Sequence, residues 1–320
     1  MNQFALGVDL GGTKIAYALL SQDGRVVNRI VEPTRAEEGY KAVIARMAAQ
    51  IRQIVYQPDY KVVGIGIGAA GRTDSRQGIV LLASNLKWQD VPLRQMLVYS
   101  LGSEWQNLIW VDKDTNAAVL GEMYFGAGKG SNHLLYVTVG TGIGGGMVLE
   151  GNLYHGVSEG ASDIGHLVLQ SDGPICGCGK RGCLEALASG PAIAHAAIKA
   201  LQEGRQSSLG LLPTEQITAQ AVVEAARQGD RLALNCLENA GKWLGIALAY
   251  YIDINNPERI IVGGGVGQAG DLLLDSVRRT IASWAIPRNV EAVQVLPAGL
   301  ITDSGVIGAA TLVWHHLQKG

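Results

Sequence analysis

The chain has 320 residues, of which 48% are hydrophobic and 17% charged, and 26 basic side chains against 28 acidic ones leave a net charge of −2. Length favours two domains of ~150 residues each, and the near balance of charge, with no long run of one sign, disfavours a nucleic-acid or anionic-membrane surface. No apolar run of about eighteen residues is present to span a bilayer. The N-terminal "MNQFALGVDLGG" sets Asp9 in its first apolar stretch without a basic lead, unlike a secretory signal. A reducing cytoplasm is therefore expected, where clustered cysteines favour metal binding over disulfides.

In chain order, "FALGVDLGGTKIAYALLSQDGRVV" reads as strand, glycine turn, strand and then an Asp-Gly hairpin turn at 23–24. A helix follows, with Tyr40, Val43, Ile44, Met47, Ile51 and Ile54 on one face. "KVVGIGIGAAG" predicts a buried strand ending in a glycine turn, and "NLIWVDKDTNAAVLGE" a strand running into a helix. About 130 residues after the opening, "HLLYVTVGTGIGGGMVLEGNLY" repeats its order of strand, Gly/Thr loop, strand and glycine turn. Two lobes of related architecture are one reading, and two unrelated glycine-rich hairpins the other. The second half is more helical. Val222, Val223 and Ala226 share one helix, and Ala233 to Tyr251 form a longer one with Leu237, Ala240, Leu244 and Leu248 inward and Cys236 as a small core residue. "ERIIVGGGVGQAGDLLLDSV" reads as strand, glycine loop, helix, and a last helix runs from an Asp303 N-cap to Leu317. Strands alternating with helices define an α/β fold.

Three of the glycine-rich loops, Gly11–Lys14, Gly140–Gly146 and Gly263–Gly267, sit between structured elements, where exposed backbone N–H groups can cradle phosphate oxygens. The dinucleotide pattern G-x-G-x-x-G occurs at Gly66/Gly68/Gly71 and at Gly140/Gly142/Gly145, but turn and strand follow each instead of the helix that fingerprint needs. A nicotinamide or flavin cofactor is rejected on that ground, and a Walker A pattern is absent. What survives is a pair of hairpin-turn phosphate clamps. "DLGGTK" offers the Asp9 carboxylate near a metal, backbone donors at Gly11 and Gly12, and the Thr13 hydroxyl. "GTGIGGG" offers Gly140, Thr141, Gly142 and Gly144, and the third loop adds Gly264 and Gly265. Lys14 has two readings, a phosphate partner or a structural strand lysine.

In "DLGGTK", "GTGIGGGMVLEGNLYHG", "IGH…CGCGKRGCLE" and "NPERIIVGGGV", taken in that order over essentially the whole chain, the sequence resembles the ROK family of sugar kinases and sugar-responsive repressors, within the actin/hexokinase-like ATPase superfamily. The resemblance implies two actin-like (ribonuclease H-like) lobes with an ATP/sugar cleft between them, expected at 1–117 plus 303–320 and at 118–302. It implies Mg2+ with ATP as phosphoryl donor, a hexose or amino-hexose acceptor and a homodimer. His166, Cys176, Cys178 and Cys183 supply one imidazole and three thiolates, a set suited to tetrahedral structural zinc, and the spacing is similar to the family's zinc site. The resemblance further implies that His166 also turns toward the sugar, that Glu185 binds a sugar hydroxyl, and that Gly71 and Asn85 line the acceptor site. The family's general base aligns with Asp114, whose alternative reading is an N-cap of a helix beginning near Asn116.

The chain departs from the family pattern at Lys113, where an Asn generally precedes the base, and at Asp163, where a Glu is usual. Ala70 replaces a common Pro. Lys113 donates hydrogen bonds but accepts none, and Asp163 shortens a sugar-binding carboxylate by one methylene. Retuned acceptor specificity, weakened activity and harmless drift are the three readings. Arg72 keeps an N-acetylhexosamine acceptor open, against a solvated turn arginine. Phosphorylation of glucose at the 6-hydroxyl is the leading expectation, with an N-acetylhexosamine kinase, a fructokinase or a catalytically weak sugar-binding protein as alternatives. A repressor would need a DNA-binding segment before Asp9, where only eight residues stand, and no basic patch is present. Polyphosphate is the alternative donor.

Overall fold

In the computed structural model, which describes residues 2–301 and 303–318, the chain forms two units. The first carries β1 (Gln3–Leu10), β2 (Lys14–Ser21), β3 (Val26–Pro33), α1 (Tyr40–Val55), β4 (Lys61–Ala69), β5 (Arg72–Asp74), β6 (Ile79–Ala83), β7 (Trp88–Val91), α2 (Leu93–Leu101), β8 (Ile109–Lys113) and α3 (Asp114–Phe125). The second carries β9 (Leu134–Val139), β10 (Ile143–Leu149), β11 (Asn152–Leu153), α4 (Leu184–Ala188), α5 (Gly190–Gln202), α6 (Ala219–Arg227), α7 (Arg231–Asn255), β12 (Arg259–Gly263), α8 (Gly264–Gly267), α9 (Asp271–Trp284), α10 (Pro287–Ala292) and β13 (Gln294–Pro297). The final helix, α11 (Ser304–Leu317), returns to the first unit.

The repeat read from the sequence is a repeat of topology. The first sheet runs β3-β2-β1-β4-β8 and the second β11-β10-β9-β12-β13, so each has an antiparallel hairpin trio followed by two parallel strands. A separate three-stranded sheet, β5-β6-β7, carries the loop around Asn85. The α1 face is buried as its period predicts, at Val43, Ile44, Met47, Ile51 and Ile54, while Tyr40 at its start is exposed. Leu237, Ala240, Leu244 and Leu248 of α7 are buried and pack with α6 and α9, whereas Cys236 lies at the edge of that core, half-buried.

The unit boundaries differ from expectation. The first unit comprises Met1–Gly130, Leu153–Ala161 and Asp303–Gly320, and the second Ser131–Asn152 and Ser162–Thr302. Helix α3 stays with the first unit because it packs along α11. There Gly121 and Gly308 meet, and a Cβ added to Gly308 would stand 2.0 Å from the Ala117 carbonyl oxygen. Met1, Thr302, Lys319 and Gly320, which the expected ranges include, lie outside the described residues.

The glycines of β4 have a related cause. A Cβ on Gly66 would fall 1.8 Å from the Ala309 carbonyl oxygen, and one on Gly68 would fall 3.2 Å from Ala117. The first apparent dinucleotide pattern is thus a sheet surface shaved for two helices. Gly71 has a different job, a turn at φ 101°, before β5 continues as strand. Among the described residues no helix is long and apolar enough to cross a membrane.

Candidate active site

In the first unit, β1, β4 and β8 lie side by side and parallel, with Asp9 opposite Gly68 and Gly68 opposite Asp112. Carboxyl ends of adjacent parallel strands are where α/β sheets bind ligands, and three aspartates converge on this one. Asp9 ends β1 with its carboxylate over the start of α11, where a Cβ on Gly305 would come within 2.6 Å of Oδ2. Burial, and then the charge of Asp114, push the Asp9 carboxyl up to about 7 against the opposing charge of Lys14. Asp114 opens α3, two residues earlier than the N-cap alternative required, and Lys113 is the N-cap. Its Oδ1 accepts the Thr115 N–H at 2.7 Å. Burial raises its pKa, offset in part by Lys113 and by the Thr115 N–H. A half-buried carboxylate with raised basicity is what proton abstraction from an alcohol requires.

The "DLGGTK" turn is fixed by its own backbone and by Thr34. The Gly11 N–H donates to Lys14 O at 3.1 Å, the Thr34 N–H to Thr13 O at 2.9 Å and the Thr34 hydroxyl to Gly11 O at 2.7 Å. Thr13 and Lys14 are exposed. Neither Gly11 nor Gly12 adopts a positive φ. Gly12 is needed for closeness instead, because a Cβ would sit 2.7 Å from that of Asn85. That contact brings the first phosphate loop and an expected acceptor residue together. Trp88, the first residue of β7, is buried. Gly71 also cannot take a side chain, since its Cβ would meet Leu82 O at 2.3 Å. Arg72 is exposed, its guanidinium against Gly160.

Sequence reasoning missed the most connected carboxylate here. Asp112 is buried, and its Oδ1 accepts from the Lys113 N–H at 2.7 Å and the Asn116 amide at 2.8 Å. Its Oδ2 accepts from His155 Nε2 at 2.7 Å. Burial works against protonation of His155, but its bond to Asp112 and the charges of Asp112 and Glu159 prevail over Arg76 and raise its pKa. The only hint in the sequence was an acidic residue two before the expected base; a lone histidine in "LYHG" carries no signal by itself.

In the second unit, Gly140 opens the β9–β10 turn, its N–H donating to Gly142 O at 2.9 Å. Its carbonyl receives the N–H of Gly190, the first residue of α5, at 2.8 Å. The N-terminus of a thirteen-residue helix therefore stands at the loop, a placement that favours anions. Gly264, at φ 82°, presses on Val139 and Thr138, and Gly265 N would be 4.0 Å from a Cβ on Gly140. Two predicted loops thus meet. The third is not a loop but one helical turn, α8, directly after β12. Beside these glycines lies a cavity of about 760 Å³, walled by Ile217, Val223 and Val266 with Thr141, Glu224 and Arg227 among its polar residues. Gly144 lies within β10, away from the turn, and is half-buried.

Glu185 joins this loop to the cysteine cluster. Its Oε2 accepts the Ile143 N–H at 3.0 Å, and a Cβ on Gly142 would come within 2.5 Å of it. Its Oε1 faces Cys176 Sγ at 3.7 Å. The side-chain donors of His166, Cys176, Cys178 and Cys183 all lie within 4.8 Å of one another. Cys178 and Cys183 Sγ are 3.6 Å apart, and Cys176 Sγ is 3.8 Å from His166 Nδ1. Sulfurs at ~2.3 Å from a tetrahedral zinc would be separated by about 3.8 Å, close to these two separations, so the four residues are grouped as a metal site requires. Burial raises the thiols of Cys176, to about 12, and Cys183, a cost that a dication would offset. The surrounding segment has little regular structure, one 3₁₀ turn at Ile164–His166 capped by Asp163 and two isolated bridges. Asp163 and His166 are half-buried, and the His166 N–H bonds Asp163 O at 3.0 Å.

Two repeats of one α/β topology place the chain in the actin-like ATPase fold class. Within that class the chain belongs to the ROK family, whose profile matches residues 5–316. A glucokinase of Thermotoga maritima is 37% identical over 96% of this chain and 96% of its own length. The crystal structure of a ROK family glucokinase from Streptomyces griseus in complex with glucose and AMPPNP superposes with a TM-score of 0.84, at 34% identity over 98% of this chain and 99% of that one. A xylose repressor of Bacillus subtilis is 29% identical over 98% of this chain, which spans 77% of the repressor.

Proposed function

We propose that the chain transfers the terminal phosphoryl group of Mg-ATP to the 6-hydroxyl of glucose. The observation that carries this reading is Asp114, a carboxylate of raised basicity at a strand–helix junction, with one strand, β4, between it and the strand of a second aspartate and the first glycine turn. Full-length likeness to curated glucokinases supports the choice of sugar.

Phosphoryl transfer needs little covalent work from the protein; positioning and charge stabilisation dominate. Asp114 takes the proton of the attacking hydroxyl. Asp9 would hold the magnesium of the nucleotide, and Gly11, Gly12 and Thr13, with Lys14 beside them, would offer donors to its phosphates. Gly140, Thr141, Gly142 and Gly144, with Gly264 and Gly265, bind the nucleotide from the second unit. The neighbouring cavity suits a nucleoside: it is walled by aliphatic side chains, while a polyphosphate chain would call for a row of cations and Arg227 is the cation among its lining residues. That argues for ATP as donor.

Gly71, Arg72, Asn85 and Lys113, with Asp163, His166 and Glu185, contact the acceptor. His166, Cys176, Cys178 and Cys183 would hold a structural zinc, which would supply no chemistry with four protein ligands and would brace the otherwise irregular segment that carries His166 and Glu185. A homodimer and a cytoplasmic setting complete the proposal.

The test is ADP release with glucose, fructose, mannose, N-acetylglucosamine and N-acetylmannosamine. Glucose is expected to give the highest kcat/KM. A preference for either N-acetyl sugar would move Arg72 to the centre of specificity, and silence on all five with calorimetric binding of one would overturn the kinase reading.

A further inference from the structure

The segment Leu153–Ala161 interrupts the second unit in sequence and belongs to the first. Apolar burial does not hold its middle there: Tyr154 is 47% exposed and Val157 fully so. Its backbone is bent, with Gly156 at φ 71° and Glu159 at φ 58°, and the Ala161 N–H closes a loop on His155 O at 3.1 Å. Polar contacts tie this loop down. The Ser75 hydroxyl donates to Glu159 at 3.2 Å, Arg72 rests on Gly160, and His155 reaches buried Asp112 at 2.7 Å. Of these anchors only the imidazole–carboxylate pair has a buried partner, so it is the one least weakened by solvent.

Asp112 spends its other oxygen on the Lys113 N–H and the Asn116 side chain, the two residues that flank Asp114 and Thr115. One carboxylate therefore fixes the corner that presents the base and, through His155, the loop that leads within two residues to Asp163 and within five to His166. We infer that His155 is a positioning residue for phosphoryl transfer, latching the 153–161 segment onto the Asp112 corner so that Asp114 is held in place. The inference rests on the assignment of Asp114 as base. His155 touches no reacting atom; it acts through Asp112 and through the loop. The nucleotide cavity has no share in this contact, so the latch predicts a selective defect.

The experiment compares wild type, His155→Ala and His155→Gln, the last able to donate one hydrogen bond to Asp112. For His155→Ala, kcat/KM for glucose is expected to fall by about tenfold or more, as misplacements of ~1 Å do, with KM for ATP within about twofold. His155→Gln is expected to recover most of the loss. In parallel, hydrogen exchange at amides 156–161 is expected to speed up in His155→Ala while β9, β10 and β12 keep their protection. Unchanged exchange at 156–161, unchanged glucose kinetics, or an equal rise in KM for ATP and glucose would each overturn the latch. Were wild type to phosphorylate no sugar, the proposed function would fail by itself, and the exchange comparison would still decide whether His155 holds the segment.

Discussion

Asp9 and Asp114 end up at the same edge of the first sheet, with β4 between their strands, because β1, β4 and β8 are parallel and in register, and the charge of Asp114 near Asp9 is a cost to the folded chain. The Asp9 carboxyl, raised from 3.8 to about 7, binds its proton more tightly folded than unfolded. Between those values the folded chain keeps a proton that the unfolded chain has released, so nucleotide-free stability declines as pH rises through the window and levels off above it. Replacing Asp9 by Asn removes the charge that is hard to bury. At pH 8 the Asp9→Asn protein without nucleotide is expected to be more stable than wild type, by on the order of 1–3 kcal/mol, and this gain is expected to vanish below pH 4. Thermal unfolding across pH checks both limbs; a variant less stable than wild type at pH 8 would mean that Asp9 is satisfied as an anion. The same substitution is expected to lose phosphotransfer, since it removes the proposed magnesium ligand. In the proposed function, the magnesium of the nucleotide would offset the buried charge of Asp9.

Elements are joined here by absent side chains as much as by present ones. The α11–α3 and α11–β4 crossings depend on Gly66, Gly121 and Gly308, and Gly308→Ala would push a methyl to 2.0 Å from the Ala117 carbonyl oxygen. Since α3 begins at Asp114, the resulting shift is expected to cost at least about 2 kcal/mol of stability and to lower turnover together with it. A Gly308→Ala protein with wild-type melting temperature and rate would show that this crossing has slack. In the second unit the corresponding dependence is expected on a metal at the His166, Cys176, Cys178 and Cys183 cluster. Elemental analysis is expected to find one zinc per chain, and Cys178→Ser or a strong chelator is expected to abolish glucose binding, because Glu185 and His166 both lean on the cluster. Calorimetry with glucose after chelation reads this directly, and unchanged affinity would leave the cluster without a role in the acceptor site.

Across the whole molecule, what could be read from the sequence was local or repeated. Both glycine hairpins, the α1 and α7 faces, the cysteine cluster and the helix after Asp303 follow from short-range patterns that physical chemistry ties to one structure. Even there the cause was sometimes different. Gly66 and Gly68 serve helix packing, and Asp303 pairs with Arg29 at 2.8 Å instead of capping α11 with its side chain. What escaped notice depends on contacts between distant segments. His155 and Asp112 are 43 residues apart, and the cavity beside Gly140 is closed by residues near 190, 220 and 266 that share no motif. The placement of α3 with the first unit likewise depends on a helix that arrives nearly two hundred residues later.

The central claim is that Asp114 removes the proton of a sugar hydroxyl during transfer from ATP, and it is tested most directly by measuring glucose-dependent ADP release and glucose binding together in wild type and Asp114→Ala. Turnover is expected to drop by about 10²–10⁴-fold, the usual worth of a positioned base, while calorimetry still detects glucose binding and the melting temperature holds. Retention of more than about a tenth of the wild-type rate, or no glucose-dependent ADP release by the wild-type chain, would contradict it.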